Sequence, residues 1–165
     1  MSQLVSFIDK SINAVNTSLK YVLFLLMSAL VFTVFAQVLF SYINQPLAWT
    51  QEVALIILVW LTFLGAAYAM SLRAHISIDF FVNKLPRSLQ KISLVLSTII
   101  SIAFFYILIT EGYSFVLMTS GQFSSVLRIP MSLVYTVIPV SGIILTINIL
   151  NVTIKTLFNK GENAA

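Results

Sequence analysis

The sequence predicts an all-α integral membrane protein with four transmembrane helices, and its composition is the first indication. Of the 165 residues, 59% are hydrophobic and 8% are charged, whereas a soluble domain carries about 25% charged residues. The second indication is a set of four uncharged stretches, each long enough to cross a bilayer core, which takes about 20 residues in a helix. These stretches cover residues 21–51, 53–72, 92–110 and 129–154. A helix also satisfies its own backbone hydrogen bonds where no water is available.

Lys and Arg residues are distributed unevenly between the two sides of the predicted bundle. The chain has nine of them and a net charge of +4. Arg128 alone lies in an outer loop, and the others precede the first span, occupy the second loop or follow the last span. Because basic residues are retained in the cytoplasm, both termini are predicted to be cytoplasmic. The positive charge therefore indicates topology, and no nucleic-acid partner is expected.

Residues suited to catalysis are scarce. The chain has no cysteine and one histidine, which excludes disulfides, thiolate metal sites and thiol redox chemistry. Its sequence contains no phosphate-binding Walker loop that could drive ATP-dependent transport. We therefore predict no enzymatic activity, no metal site and no cofactor bound to this chain. Without a long linker or a low-complexity segment, residues 1–165 are interpreted as one membrane domain.

Residues 1–19 are predicted to form an amphipathic helix at the cytoplasmic interface. Apolar residues recur at helical spacing, at Leu4, Ile8, Ile12, Val15 and Leu19, which places them on one stripe. The first span follows over about residues 21–42. The apolar run from residue 21 is longer than that of a typical signal peptide, so this span is expected to stay in the protein.

The second span is predicted over about residues 51–72, after a helix break at Asn44–Pro46. Trp49 is placed to lie at the outer interface, where an amphipathic ring is stable. Thr50 is expected to cap the helix, and Glu52 to lie in its first turn.

The third and fourth spans are predicted over about residues 90–114 and 132–157. Pro139 lies inside the fourth span and is expected to kink it, which membrane helices tolerate. The loop between the two spans, Thr119–Met131, is apolar for a loop exposed to water. Two interpretations stay open: the loop dips into the outer leaflet, or it packs against a partner.

Charged residues near the outer ends of the spans are the first candidate site. An ionisable residue inside a membrane is a functional hypothesis by default, because burying it is costly. At the outer mouth of the second span, however, Glu52 is better interpreted as a capping or pairing residue than as a proton relay. We hypothesise that Arg128 pairs with Glu52 or with Glu111.

Charged residues at the inner end of the second span are the second candidate site. His75 and Asp79 are four residues apart, so they meet if the segment is helical and share a face if it is extended. A lone histidine with one carboxylate is not a metal site. Together with Arg73, these residues are interpreted as a charged hinge that anchors an interfacial segment.

Residues within the second span indicate helix packing. Trp60 lies about 12 Å along the helix from Glu52, too deep for the interfacial belt. Its indole N–H therefore needs a partner in the protein interior, or its ring packs against another subunit. Gly65 and Ala69 form a small-xxx-small pair that lets helices approach closely.

These residues resemble the small membrane subunit of tripartite ATP-independent periplasmic (TRAP) transporters. The resemblance rests on Pro46, Leu47, Trp49, Glu52, Trp60, Phe63–Ala66, Ala69, Arg73, His75, Ile76, Asp79 and Pro86. The sequence departs from the family pattern at Ser41, where a basic residue is frequent, and at Gln51, where a second acid is frequent. Both departures put a fixed ion pair at that end in doubt.

The resemblance implies a non-catalytic scaffold subunit in the bacterial inner membrane. Its expected partners are a large multi-span membrane subunit, which moves in an elevator-like manner, and a periplasmic substrate-binding protein. Sodium ions are expected to bind the large subunit. The expected substrate is an organic acid, such as a C4-dicarboxylate or sialic acid. The alternatives are an accessory subunit of an unrelated membrane complex and a small homodimeric four-helix exporter, which would need an acid in its first span.

Overall fold

The computed structural model describes residues 2–72 and 87–162. They form the helices α1 (Ser2–Tyr42), α2 (Ala48–Ser71), α3 (Arg87–Met118), α4 (Met131–Tyr135) and α5 (Val137–Glu162). Four segments are long and apolar enough to cross a membrane: Ile12–Tyr42, Ala48–Ser71, Ile92–Met118 and Met131–Ile154. The prediction of an all-α chain with four spanning helices is confirmed.

Helix α1 is continuous over 41 residues, or about 61 Å. The structure therefore differs from the prediction of a separate helix over residues 1–19, because no break divides this segment from the first span. No proline or glycine lies near the expected boundary. Leu19, placed on the membrane-facing stripe by the sequence pattern, is instead buried against α2 and α5.

The end of α1 is set by Asn44. This residue has φ 59°, in the left-handed region that Asn tolerates better than most residues. The amide of Asn44 donates to the Ser41 carbonyl at 3.1 Å, and the amide of Gln45 donates to the Phe40 carbonyl at 3.0 Å. These two bonds make a Schellman motif, which satisfies carbonyls at the helix end. The predicted break before Pro46 is present.

The start of α2 differs from the prediction. The N-cap is Leu47, and no side chain caps the helix. Thr50 lies inside the first turn, and its hydroxyl donates back to the Leu47 carbonyl at 2.6 Å. The predicted Thr50 cap is therefore wrong. Because the helix begins at Ala48, Glu52 also lies beyond the first turn, where the helix dipole has little effect.

Pro139 interrupts the fourth span. Helix α4 ends at Tyr135 and α5 begins at Val137, with Thr136 between them. Proline has no N–H to donate to the carbonyl four residues earlier, which is that of Tyr135. The ladder resumes when the Val140 amide donates to the Thr136 carbonyl at 3.3 Å.

The four long helices are packed in the order α1, α2, α5, α3. Helix α2 packs between α1 and α5, and α5 packs between α2 and α3. Within the described ranges, no Cα atom of α3 lies within 8 Å of one in α1 or α2. Helices α1 and α3 are therefore the two edges of the bundle, and α5 is the helix through which α3 is attached to the others.

Two glycines allow α3 and α5 to approach closely. A Cβ atom at Gly142 would lie 2.7 Å from Cγ1 of Ile109, and one at Gly112 would lie 2.8 Å from Cγ2 of Ile138. Both distances are shorter than a van der Waals contact. Gly65, which the sequence indicated as a close-packing position, would meet only Leu23 at 3.9 Å. Gly65 faces α1 across an ordinary contact, and the tightest packing involves α3 and α5 instead.

Many hydroxyl groups in the spans are satisfied by their own helix. Such groups donate to the carbonyl three or four residues earlier, which lets Ser and Thr lie in an apolar medium. The donors include Ser28, Thr33, Thr62, Ser97, Thr110 and Thr146. These hydroxyls do not link one helix to another. The few polar side chains that do bond to a neighbouring helix therefore decide how the helices are held together.

We expect the substitution Gly142→Ala to weaken the packing of α3 on α5. Overpacking costs about 1–3 kcal/mol, which exceeds the gain of about 0.5–1 kcal/mol for Ala over Gly in a helix. The measurement is the thermal unfolding midpoint of the purified chain in detergent, followed by circular dichroism. Gly121→Ala is the control, since a Cβ there would meet nothing within 4 Å. Equal midpoints for the two variants would contradict the close approach.

Candidate functional site

A buried amide on α5 joins three helices. Asn148 has 2% of its surface exposed. Its Nδ2 donates to Oδ1 of Asn16 on α1 at 3.1 Å and to the Ala67 carbonyl on α2 at 2.9 Å. In return, Nδ2 of Asn16 donates to Oδ1 of Asn148 at 3.0 Å. The two side-chain amides thus bond to each other in both directions. The bond from Asn148 to the Ala67 carbonyl fixes the position of α2 along α5.

A second polar contact attaches α3 to α5. The hydroxyl oxygens of Thr98 and Thr153 lie 2.9 Å apart, and both side chains are buried. Thr98 also donates to the Leu94 carbonyl at 2.8 Å. Either hydroxyl can be the donor of the bond between the two helices. Helix α5 thereby makes side-chain hydrogen bonds with α1, α2 and α3.

The end of the bundle that holds the 43–47 and 119–130 connections is called the outer end. Glu52 makes a polar contact there, at the end opposite the Asn148 and Thr153 contacts. Oε2 of Glu52 accepts from the Leu127 amide at 2.7 Å, and Oε1 accepts from the Val126 amide at 3.4 Å. Hydrogen bonds to an ionised group are stronger than neutral ones. The carboxylate therefore holds the connection between α3 and α4 against α2.

That connection is a compact hairpin, called the outer hairpin (residues 122–131). The Ser124 amide donates to the Ile129 carbonyl, and the Met131 amide to the Gln122 carbonyl, both at 2.9 Å. The buried Ser124 hydroxyl accepts from the Ile129 amide at 3.0 Å. The hairpin packs against α2 of its own chain, a contact that neither sequence interpretation of this loop included.

Arg128 closes the outer hairpin through its backbone. Its φ is 55°, and its side chain is exposed. In the part of the chain that the structure describes, no ion pair links Arg128 to Glu52 or Glu111, so the hypothesised pairing is absent. The sequence indicated the correct loop, but the partners of Glu52 are backbone amides. Peptide N–H groups are fixed by the hairpin and lose no side-chain entropy in forming the bond.

Trp60 packs in a cluster shared by α1, α2 and α5. The cluster is centred on the buried residues Leu19, Leu64 and Val137. The ring is therefore partly enclosed within this chain. No hydrogen bond of its indole N–H is present among the described residues, and no unpartnered side-chain nitrogen or oxygen there is buried. The N–H is thus accessible at the surface of the bundle.

The remaining sequence-predicted residues are dispersed. Trp49 lies in the first turn of α2 with its ring exposed, and Glu111 is exposed on α3. Arg73, His75 and Asp79 lie outside the described residues, so the inner charged hinge stays a prediction. No hydrogen bond or ion pair joins two of the six candidates that the structure describes.

Sequence reasoning missed most residues of the contacts between helices. Asn148 is recognisable as an amide inside an apolar span, but Asn16 lies off the apolar stripe of the helix predicted over residues 1–19. In the sequence, Thr98 and Thr153 look the same as the many Ser and Thr residues whose hydroxyls bond only within their own helix. The usable signal was the rarity of amides within the spans, which marks such a residue as one that needs a partner.

Four spanning helices joined by these contacts define a multi-pass membrane protein. The family model described as "Tripartite ATP-independent periplasmic transporters, DctQ component" matches residues 30–159. The chain belongs to this family, the small permease subunits of TRAP transporters.

Several relatives carry matching names. A Haemophilus influenzae protein, provisionally named a TRAP transporter small permease protein, is 28% identical over 96% of this chain and 94% of its own length. The C4-dicarboxylate TRAP transporter small permease protein DctQ of Rhodobacter capsulatus is 32% identical over 64% of this chain and 48% of its own length. The sialic acid TRAP transporter small permease protein SiaQ of Vibrio cholerae is 35% identical over 36% of this chain and 34% of its own length.

A double-mutant cycle on Asn16 and Asn148 is expected to show coupling. Asn148→Ala leaves the Asn16 amide without its partner, whereas the double Ala variant removes both groups. The double variant should therefore lose less stability than the sum of the single variants, by about 0.6–1.7 kcal/mol. The measurement is reversible unfolding in mixed micelles. The control is Asn151→Ala, on the same helix, whose side chain makes no hydrogen bond in the described structure. Losses of stability at Asn16 and Asn148 that simply add would contradict the contact.

Glu52→Gln is expected to loosen the outer hairpin. A glutamine offers one acceptor oxygen, and its NH2 group faces an amide that is also a donor. Amide hydrogen exchange at Val126 and Leu127 should become several-fold faster, measured by mass spectrometry on the purified chain. Gln51→Ala, at the neighbouring exposed position, is the control. Unchanged exchange at both amides in Glu52→Gln would show that the carboxylate does not hold the hairpin.

Proposed function

We propose that this chain is the stationary scaffold subunit of a TRAP transporter that takes up an organic acid. Its partners are a large multi-span subunit and a periplasmic substrate-binding protein. The observation that carries the proposal is the family match over residues 30–159. Family membership favours this function over the two alternatives, an accessory subunit of an unrelated complex and a homodimeric exporter.

The connections between the helices support a stationary role. A subunit that supports a sliding partner must resist being deformed by it. Helix α5 is tied to α1 and α2 through Asn148 and to α3 through Thr153. The outer end is tied separately, through Glu52 and the outer hairpin. Attachments at two levels along the helices oppose both tilting and sliding of one helix against the next.

The exposed apolar edges support a partner within the bilayer. Helices α1 and α3 carry many exposed large side chains, including Phe32, Phe35, Ile100 and Tyr106. Phe and Ile suit either lipid or protein, but a phenol hydroxyl near the middle of a span is better accommodated by protein. The accessible indole N–H of Trp60 has the same requirement.

The relatives' names support an organic-acid substrate. One relative is named for C4-dicarboxylates and another for sialic acid, which are carboxylates, and a third is named for isethionate, which is a sulfonate. We propose a carboxylate substrate and symport with sodium, with the substrate and sodium sites in the large subunit. In this arrangement the small subunit binds neither, and it performs no catalysis.

Co-purification and uptake together test the proposed function. A tagged chain, extracted from its native membranes in mild detergent, is expected to retain a much larger multi-span protein identified by mass spectrometry. Deleting the gene for this chain should abolish uptake of one radiolabelled carboxylate, and replacing sodium by potassium should abolish the same uptake in the parent strain.

The outcomes separate the parts of the proposal. Recovery of the chain alone or as a homodimer would overturn the scaffold role. Recovery of the large partner with uptake that persists in potassium would overturn sodium coupling only. A carboxylate panel with no affected member, despite recovery of the partner, would overturn the substrate class.

A further inference from the structure

Glu111 is the acidic residue in the described spans that has no hydrogen-bond or ion-pair partner among the described residues, since Glu52 has two. The four spans contain only Lys20, Glu52 and Glu111 among Asp, Glu, Lys and Arg. Lys20 has a long stem that can carry its ammonium group towards the inner end of α1. The Glu52 carboxylate is satisfied by two amides of the outer hairpin. Glu111 makes no hydrogen bond or ion pair in the described part of the chain.

The position of Glu111 in α3 makes the lack of a polar partner unfavourable in free energy. It lies seven residues before the end of α3 at Met118, which is about 10 Å along the helix axis. Beyond it towards the outer end, Tyr113, Phe115 and Leu117 are large and exposed. The two methylene groups of a glutamate cannot carry the carboxylate across that distance. In lipid the group would be held in an apolar medium, at a cost that reaches about 2.5–3.5 kcal/mol for a charged side chain at the centre of a span.

A cavity lies beside the carboxylate. It has a volume of about 370 Å³ and lies between α3 and Ile138 of α5. Phe104, Ile107 and Phe115 contribute to its apolar wall, and among the described residues that line it Glu111 is the charged one. The cavity combines a surface suited to apolar side chains with one fixed negative charge.

Helix α3 also supplies most of the cavity wall. It is an edge of the bundle, with neither α1 nor α2 within 8 Å at the Cα atoms in the described ranges. A further transmembrane helix can therefore approach this cavity without displacing any described element of the chain.

We propose that the cavity beside Glu111 receives a transmembrane helix of the large subunit, and that this helix carries an Arg or Lys side chain paired with Glu111. The inference rests on the proposed function and adds the docking face and the chemistry of its partner. Charge complementarity supports it, since ionisable groups within membranes pair with one another. The apolar wall would enclose the ion pair and shield it from water.

Cross-linking from single cysteines tests the docking face. The chain has no cysteine, so an introduced one is unique within it. Ile107→Cys places the reactive group in the wall of the cavity, and Phe32→Cys places it on the opposite edge, where the side chain is 74% exposed. Each variant is labelled with benzophenone maleimide and irradiated in membranes that contain the complete transporter. We expect a covalent adduct with the large subunit from position 107, in higher yield than from position 32.

Charge substitution tests the ion pair. Glu111→Gln should lower the amount of large subunit that co-purifies with the tagged chain by about tenfold, and Glu111→Lys should lower it further. The matched control is Ser114→Ala, which alters the same cavity lining without changing a charge. Membrane levels of each variant are measured first, so that loss of the chain itself is separated from loss of its partner. In the Glu111→Lys background, an Arg→Glu or Lys→Glu substitution in the large subunit should restore co-purification.

The outcomes distinguish this inference from the proposed function. If the unmodified chain retains the large subunit but position 107 cross-links only to lipid, the docking face is overturned and the scaffold role stands. If position 107 cross-links to the large subunit while Glu111→Gln co-purifies as well as Ser114→Ala, the ion pair is overturned. If the unmodified chain retains no large subunit, the proposed function fails first.

Discussion

The arrangement of this protein depends on polar contacts that α5 makes inside an apolar medium. Lipid chains are as apolar as leucine, so no hydrophobic force selects one helix neighbour over another in a bilayer. Close packing and directional hydrogen bonds have to supply that selection. Asn148 bonds to Asn16 and to the Ala67 carbonyl, and Thr153 bonds to Thr98. In the described ranges α3 has no Cα atom within 8 Å of α1 or α2 and packs on α5 and α4, while Phe105 of α3 joins a buried cluster with Ala67 of α2.

The outer hairpin turns that connection into a second attachment. A loop of the same length without internal hydrogen bonds would leave α3 and α4 free to shift relative to α2. Here the hairpin closes on itself through Ser124, and its amides then bind Glu52. The contact needs one charged side chain and no basic partner. It thus leaves the side chain of Arg128 exposed at the outer end of the bundle.

The scaffold role proposed for this chain requires an interior that is rigid and a surface that binds a partner. The interior of this bundle meets the first requirement with satisfied polar groups, since no unpartnered side-chain nitrogen or oxygen is buried in the described ranges. Its edges differ, because Glu111 and the Trp60 indole carry polar groups that face outward without a partner in the described part of the chain. This contrast between a satisfied interior and an unsatisfied edge is what a subunit of a larger assembly requires.

The sequence by itself determined the four spans, the break before Pro46, the interruption at Pro139 and the resemblance to the family. Each is a property of a continuous segment: a long apolar run specifies a span, and proline removes a backbone donor wherever it stands. Only the tertiary structure decided that Asn16 meets Asn148, 132 residues away, and that Gly112 and Gly142 mark the closest helix approach. It also showed that Glu52 is bound by two backbone amides and not by Arg128. Every residue except proline has a backbone amide, so no residue type in the sequence marks such a donor. A contact between distant segments depends on how the helices pack, which no single segment specifies.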